Sequence, residues 1–88
     1  MSDPNAQSAA ERITRIVQRL LAEHSIDHAV SSDEDLRQAG LSSLDMVSLV
    51  LAVEEEFALM VPESGITPAN FRSIGAIGRL VESIKSKQ

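Results

Sequence analysis

The chain has no cysteine, tryptophan or tyrosine, and its only aromatic residues are Phe57 and Phe71. Without cysteine, neither a disulfide framework nor a thiolate zinc site can staple the fold, and any thiol chemistry must come from an added group. Without tyrosine or tryptophan there is little on which to stack a nucleobase, so nucleic acid is not expected as a partner. No apolar run approaches the roughly 18 residues that would span a bilayer, and no membrane association is expected. The opening Met1-Ser2-Asp3-Pro4-Asn5 lacks the basic start and apolar stretch of a secretory signal, so a cytoplasmic protein is expected.

What is present is aliphatic and acidic. At 88 residues the chain has room for a single core, and its 43% apolar content, nearly all of it aliphatic, suits a bundle of helices better than a β-sandwich. The formal charge of −5 is unevenly spread: Asp33 to Glu63 holds eight acids against one base, Arg37, while the rest of the chain is net basic. Such a field repels phosphate backbones and favours basic protein surfaces.

Ser8-Ala9-Ala10-Glu11 has the spacing of a capping box, and Ile13, Ile16, Val17, Leu20 and Leu21 follow at helical spacing. This predicts a first helix from about Ser8 to Glu23. Between Glu23 and Leu41 the apolar residues thin out among Ser, Asp and Gly, which predicts a long loop containing a short turn around Asp33 to Gln38. From Ser42 or Ser43 to Ala58 there is no Gly or Pro, and Pro62 comes soon after, which predicts a second long helix. Thr67-Pro68 reads as a cap followed by proline at the first helical position, predicting a short helix through Phe71. Ser73 then caps a last helix with Ile74, Ile77, Leu80, Val81 and Ile84 on one stripe, in which Gly75 and Gly78 permit close packing.

The second long helix has more apolar surface than one-sided packing requires. On a helical wheel, Met46, Leu49, Val50, Val53 and Phe57 form an ordinary core stripe, but Leu44, Val47 and Leu51 lie together on a neighbouring face. The apolar arc widens to about 220°. Either other parts of the chain bury that face or it meets something else. Glu54 and Glu55 border it and Asp45 lies near its start, an arrangement that suits transient, salt-sensitive docking to basic partners.

Gly40-Leu41-Ser42-Ser43-Leu44-Asp45 joins the loop to this helix. Gly40 permits a turn, and Ser42 is a natural N-cap with Asp45 three residues on, which leaves Ser43 at the first helical position and facing outward. Asp35-Leu36, Gly40, Ser43-Leu44-Asp45, the run from Leu49 to Phe57 and Val61-Pro62 together resemble the acyl carrier protein family. The resemblance extends from about Asp33 to Ile84 and implies an all-α fold: a small four-helix bundle, three helices long and one short, with a long loop between the first two. Residues 8–85 would form the carrier domain, 1–7 a flexible N-terminus and 86–88 a C-terminal tail.

The resemblance further implies that 4′-phosphopantetheine, donated by coenzyme A through a phosphopantetheinyl transferase, is attached to Ser43. Its thiol would carry an acyl intermediate as a thioester, as in fatty acid biosynthesis. By the same resemblance Ser42, Leu44, Asp45, Val47, Leu51, Glu54 and Glu55 form the face shown to partner enzymes with basic docking surfaces. Val50, Phe57, Ile66, Phe71 and Ile77 are the candidates for sheltering a cargo chain. A non-catalytic, monomeric, free-standing shuttle is expected.

Ser42 and Ser48 depart from the family pattern, since most fatty-acid carriers have an acid before the modified serine and often another at the position of Ser48. Gly-Leu-Ser-Ser, with Phe71 to Ile77, resembles instead free-standing carriers that receive amino acids from synthetase-like ligases, so an aminoacyl carrier is the close alternative. Ser42 also competes as the modified residue, although the leucine after Ser43 favours Ser43. A helical interaction module without a prosthetic group is a third reading, needing the second apolar face but not Ser43. An enzyme finds little support. His24 and His28, four apart, would share a face as metal ligands if helical, but solvated residues near a helix end are the commoner outcome.

Overall fold

In a computed structural model, which describes residues 8–87, the chain runs α1 (Ala9–Glu23), α2 (Leu36–Ala39), α3 (Ser43–Phe57), a short 3₁₀ turn (Glu63–Gly65) and α4 (Ile74–Ser86). The fold is all-α, with three long helices and one short. The short helix lies in the long loop, where only a turn was expected. At Thr67 to Phe71 a single turn forms, with Phe71 N–H returning to Thr67 O at 3.3 Å and Thr67 Oγ1 accepting from Asn70 N–H, but it does not propagate into the helix that Thr67-Pro68 suggested. The expected flexible segment 1–7 and Gln88 lie outside the described residues. No helix among those described is long and apolar enough to cross a membrane.

The three long helices begin with side-chain caps. Ser8 Oγ accepts from Glu11 N–H, Ser42 Oγ from Asp45 N–H and Ser73 Oγ from Ala76 N–H, each supplying an acceptor to a first-turn donor that the helix cannot pair. α1 and α3 end alike: Ser25 (φ 60°) and Ala58 (φ 53°) turn left-handed, and the following N–H bonds back five residues, Ile26 to Leu21 O and Leu59 to Glu54 O. The turn reverses the chain and seats Ile26 and Leu59 against the core.

α1 packs against both α3 and α4. Its stripe Ile13, Ile16, Val17, Leu20 and Leu21 meets Leu49, Val50, Val53 and Phe57 from α3 and Ile74, Ile77 and Val81 from α4, all buried. Burial of this aliphatic surface is the main driving force for folding. Leu36 and Leu41, both buried, pin the loop segment to the same core. Two backbone bonds fasten that segment to the entry of α4: Leu36 N–H to Arg72 O at 2.8 Å, and Gly75 N–H to Ser32 O at 2.9 Å. Between α2 and α3 the chain turns at Gly40, whose φ of 129° favours glycine and where a Cβ would collide with Ile26.

The expectation that Gly78 permits close packing does not hold. A Cβ there would meet only Ile13 Cδ1, at 4.0 Å, an ordinary contact. Gly78→Ala is therefore expected to stabilise the protein by about 1 kcal/mol through helix propensity. Ala58→Gly is expected to add a similar amount by relieving the left-handed alanine. Urea denaturation of the two variants checks both, and a loss of stability in Gly78→Ala would contradict the packing described.

Candidate functional site

The start of α3 is built around Asp45. Its Oδ2 accepts from Ser42 N–H at 2.7 Å and from Ser42 Oγ–H at 2.8 Å, while Ser42 Oγ accepts from Asp45 N–H, completing a capping box. His24 Nε2, just past the end of α1, sits 2.9 and 2.8 Å from the two carboxylate oxygens. The Ser42 N–H, followed by the His24 hydrogen bond, holds the Asp45 carboxyl at about 2, against an ordinary 3.8.

These bonds distinguish the two candidate serines. The Ser42 hydroxyl both donates and accepts within the cap. Ser43 is the first residue of α3 and is exposed, and among the described residues no hydrogen bond engages its hydroxyl. A phosphate on that oxygen would lie at the N-terminus of a 15-residue helix, where unpaired N–H groups and the macrodipole favour an anion, so the residues present fit a phosphodiester-linked group.

The second apolar face is not buried by the rest of the chain. Leu44 is 80% exposed, Val47 59% and Leu51 60%, so three large aliphatic side chains stand in solvent along one side of α3. Met60, 80% exposed just beyond the helix, was not anticipated, since an isolated methionine after a helix carries no periodic signal. The acidic rim is thinner than the sequence suggested. Glu55 is exposed, but Glu54 accepts from Val61 N–H at 2.8 Å and Asp45 serves the cap. Neighbouring Glu56 pairs with Arg12 at 2.8 Å, and that guanidinium also lies 4.3 Å from the Phe57 ring centroid.

Beside Ser43 a cavity of about 420 Å³ opens between α3 and the segment before α4. Of the five residues expected to shelter a cargo, Val50, Ile66 and Phe71 line it. Phe57 and Ile77 do not: Phe57 faces Arg12 near the far end of α3, and Ile77 is buried in the bundle core. Arg37 and Arg72 line the cavity as well, a placement that no local sequence pattern encodes. His24 and His28 do not share a helix face, because α1 ends at Glu23. His28 Nε2 instead meets Glu34 at 2.6 Å, and that hydrogen bond is the main cause of the lowered Glu34 pKa.

The match that decides the family covers most of the chain: a family model described as the phosphopantetheine attachment site spans residues 11–81. The chain belongs to that family. It is a carrier protein, and its cofactor is covalently attached 4′-phosphopantetheine. Two similar carriers come from Bradyrhizobium diazoefficiens. Aminoacyl carrier protein 1 is 40% identical over 70 residues, covering 80% of this chain and 78% of the relative. Aminoacyl carrier protein 2 is 40% identical over 76 residues, covering 86% and 85%. Among solved structures, a chain in the crystal structure of Bradyrhizobium japonicum glycine:carrier protein ligase, complexed with cognate carrier protein and an analogue of glycyl adenylate, superposes with a TM-score of 0.78. It is 35% identical, with 85% of this carrier and 96% of that chain covered.

The carrier should be acid-sensitive at the start of α3. Folding lowers the Asp45 pKa, so its stabilisation is complete well above pH 3.8 and is lost as the pH falls toward about 2. Asp45→Ala is expected to lower stability at neutral pH by about 1 kcal/mol and to flatten the decline across that acid window. Denaturation curves at a series of pH values measure both; a variant with the wild-type acid profile would show that the cap does not govern it.

Proposed function

We propose that this protein is an aminoacyl carrier whose phosphopantetheine is attached to Ser43 and which passes its cargo between a ligase and later enzymes. The observation that carries the reading is the similarity, over four-fifths or more of the chain, to two proteins named as aminoacyl carriers. A carrier of this kind supplies no catalytic group of its own. When attached, the arm supplies the thiol that the cysteine-free chain lacks, and the aminoacyl group is held there as a thioester.

The protein's own residues do the positioning. Ser43 presents a hydroxyl unencumbered by the cap, while Ser42 and Asp45 keep the first turn of α3 in place. Leu44, Val47 and Leu51 offer partners a largely apolar contact face, with Glu55 as its exposed acid. The change from an acid to Ser42 and the internal bonds of Asp45 and Glu54 favour ligase surfaces that read shape and apolar area over strongly basic ones. Monomeric action in the cytoplasm accords with this role.

Intact mass after incubation with coenzyme A and a broad-specificity phosphopantetheinyl transferase is expected to rise by one phosphopantetheine, mapped to the Ser43 peptide and absent in Ser43→Ala. Supplied with ATP and an amino acid:carrier protein ligase of the glycine type, the loaded form is expected to gain an amino acid. Acceptance of fatty acyl groups alone would overturn the aminoacyl assignment, and failure of folded protein to take up the arm would favour an adaptor without a prosthetic group. Val47→Asp or Leu51→Asp is expected to lower kcat/KM for loading about tenfold with folding intact. Unchanged kinetics in both variants would remove this face from docking.

A further inference from the structure

α1 and α3 run antiparallel along a seam, and at each end of it a basic side chain meets an acid of α3. His24, just past the end of α1, reaches Asp45 in the first turn of α3 at 2.8 Å. Arg12, near the start of α1, reaches Glu56 near the end of α3, also at 2.8 Å. Between them the pairing lapses. Arg19 of α1 lines a groove along the seam with Ile16 of its own helix and with Ser48, Leu51, Ala52 and Glu55 of α3. It is exposed, and among the described residues it belongs to no ion pair. Ser48 offers it no charge, and Glu55 lines the same groove without pairing to it.

Leu51, 60% exposed, belongs both to this groove and to the apolar face of α3, so the groove continues that face across the seam onto α1. A guanidinium beside exposed aliphatic surface is the composition of a protein interface, where arginine is enriched and binds carboxylates through paired N–H donors. We propose that the docking face extends onto α1 through this groove, and that Arg19 pairs there with a carboxylate of the amino acid ligase that loads the carrier. The proposal rests on the aminoacyl reading above and adds the chemistry of the partner: apolar surface over Leu51, with an acid opposite Arg19. Charge complementarity selects this occupant. A purely basic docking surface, which suits an acidic carrier as a whole, meets repulsion at Arg19, whereas a surface that brings a carboxylate to the same place gains a directional ion pair.

The test uses the full chain carrying its arm, with attachment verified by intact mass for every variant, together with ATP, glycine and a glycine-type amino acid:carrier protein ligase. Arg19→Glu is expected to raise KM for the carrier about tenfold with kcat little changed, and the loss is expected to shrink as ionic strength rises. Arg15→Glu makes the same charge change at an exposed α1 residue that does not line the groove, and is expected to leave KM within about twofold of wild type. An unchanged KM in Arg19→Glu, an equal loss in Arg15→Glu, or a loss independent of salt overturns the pairing at Arg19 while leaving the carrier role standing. Self-association of the carrier that Arg19→Glu abolishes, with loading kinetics unchanged, assigns the groove to a second copy of the chain and overturns the ligase as its occupant. Wild-type carrier that takes up the arm but accepts no amino acid overturns the aminoacyl reading and this proposal together.

Discussion

The carboxylate of Asp45 is the point through which the ends of two helices are held to one another. It closes the capping box with Ser42 and receives His24 from the end of α1, so the start of α3 cannot shift without breaking bonds to both. Removing one partner from a group with several charge-assisted bonds leaves the others poorly satisfied, and such contacts are costly to break singly. The placement of Ser43, the exposure of the α3 face and the mouth of the cavity all inherit their geometry from this junction. The far end of α3 has its own anchor in Arg12, which bonds the Glu56 side chain and backbone and covers Phe57.

A helix held at both ends can leave one face unpartnered. Leu44, Val47 and Leu51 remain in solvent because α1 and the loop cover only the opposite side of α3, and the aliphatic stripe there already fills the core. On the carrier role proposed above, a small apolar face is a suitable compromise. It contributes binding energy when covered, yet its limited size keeps complexes short-lived. The acids around it divide between structural and surface roles, with Glu54 fixing Val61 and Glu55 left in solvent.

Much of this was legible in the residues. Periodicity locates the inward stripes of α1 and α4, and a helical wheel for α3 separates Leu44, Val47 and Leu51 from the core stripe. The caps at Ser8, Ser42 and Ser73 were readable because a capping residue and its partner lie within one turn. The failures have the opposite character. His24 meeting Asp45, Arg12 meeting Glu56 and Arg37 sharing a cavity with Arg72 join residues distant along the chain, and no local pattern encodes them. Thr67-Pro68 carried a true start signal, but a start signal does not specify length: the chain reaches Phe71, which is buried, and Ser73 opens the next helix two residues on.

The capping box also gives folding a say in chemistry. In an extended chain Ser42 and Ser43 are neighbouring hydroxyls with little to tell them apart. Once α3 forms, one hydroxyl is drawn into bonds with Asp45 and the other is turned outward. On the reading proposed here, an enzyme that requires the outward hydroxyl on an intact first turn labels folded molecules and passes over unfolded ones. The capping box would then act as a checkpoint, admitting to the pathway only those copies that have already found their shape.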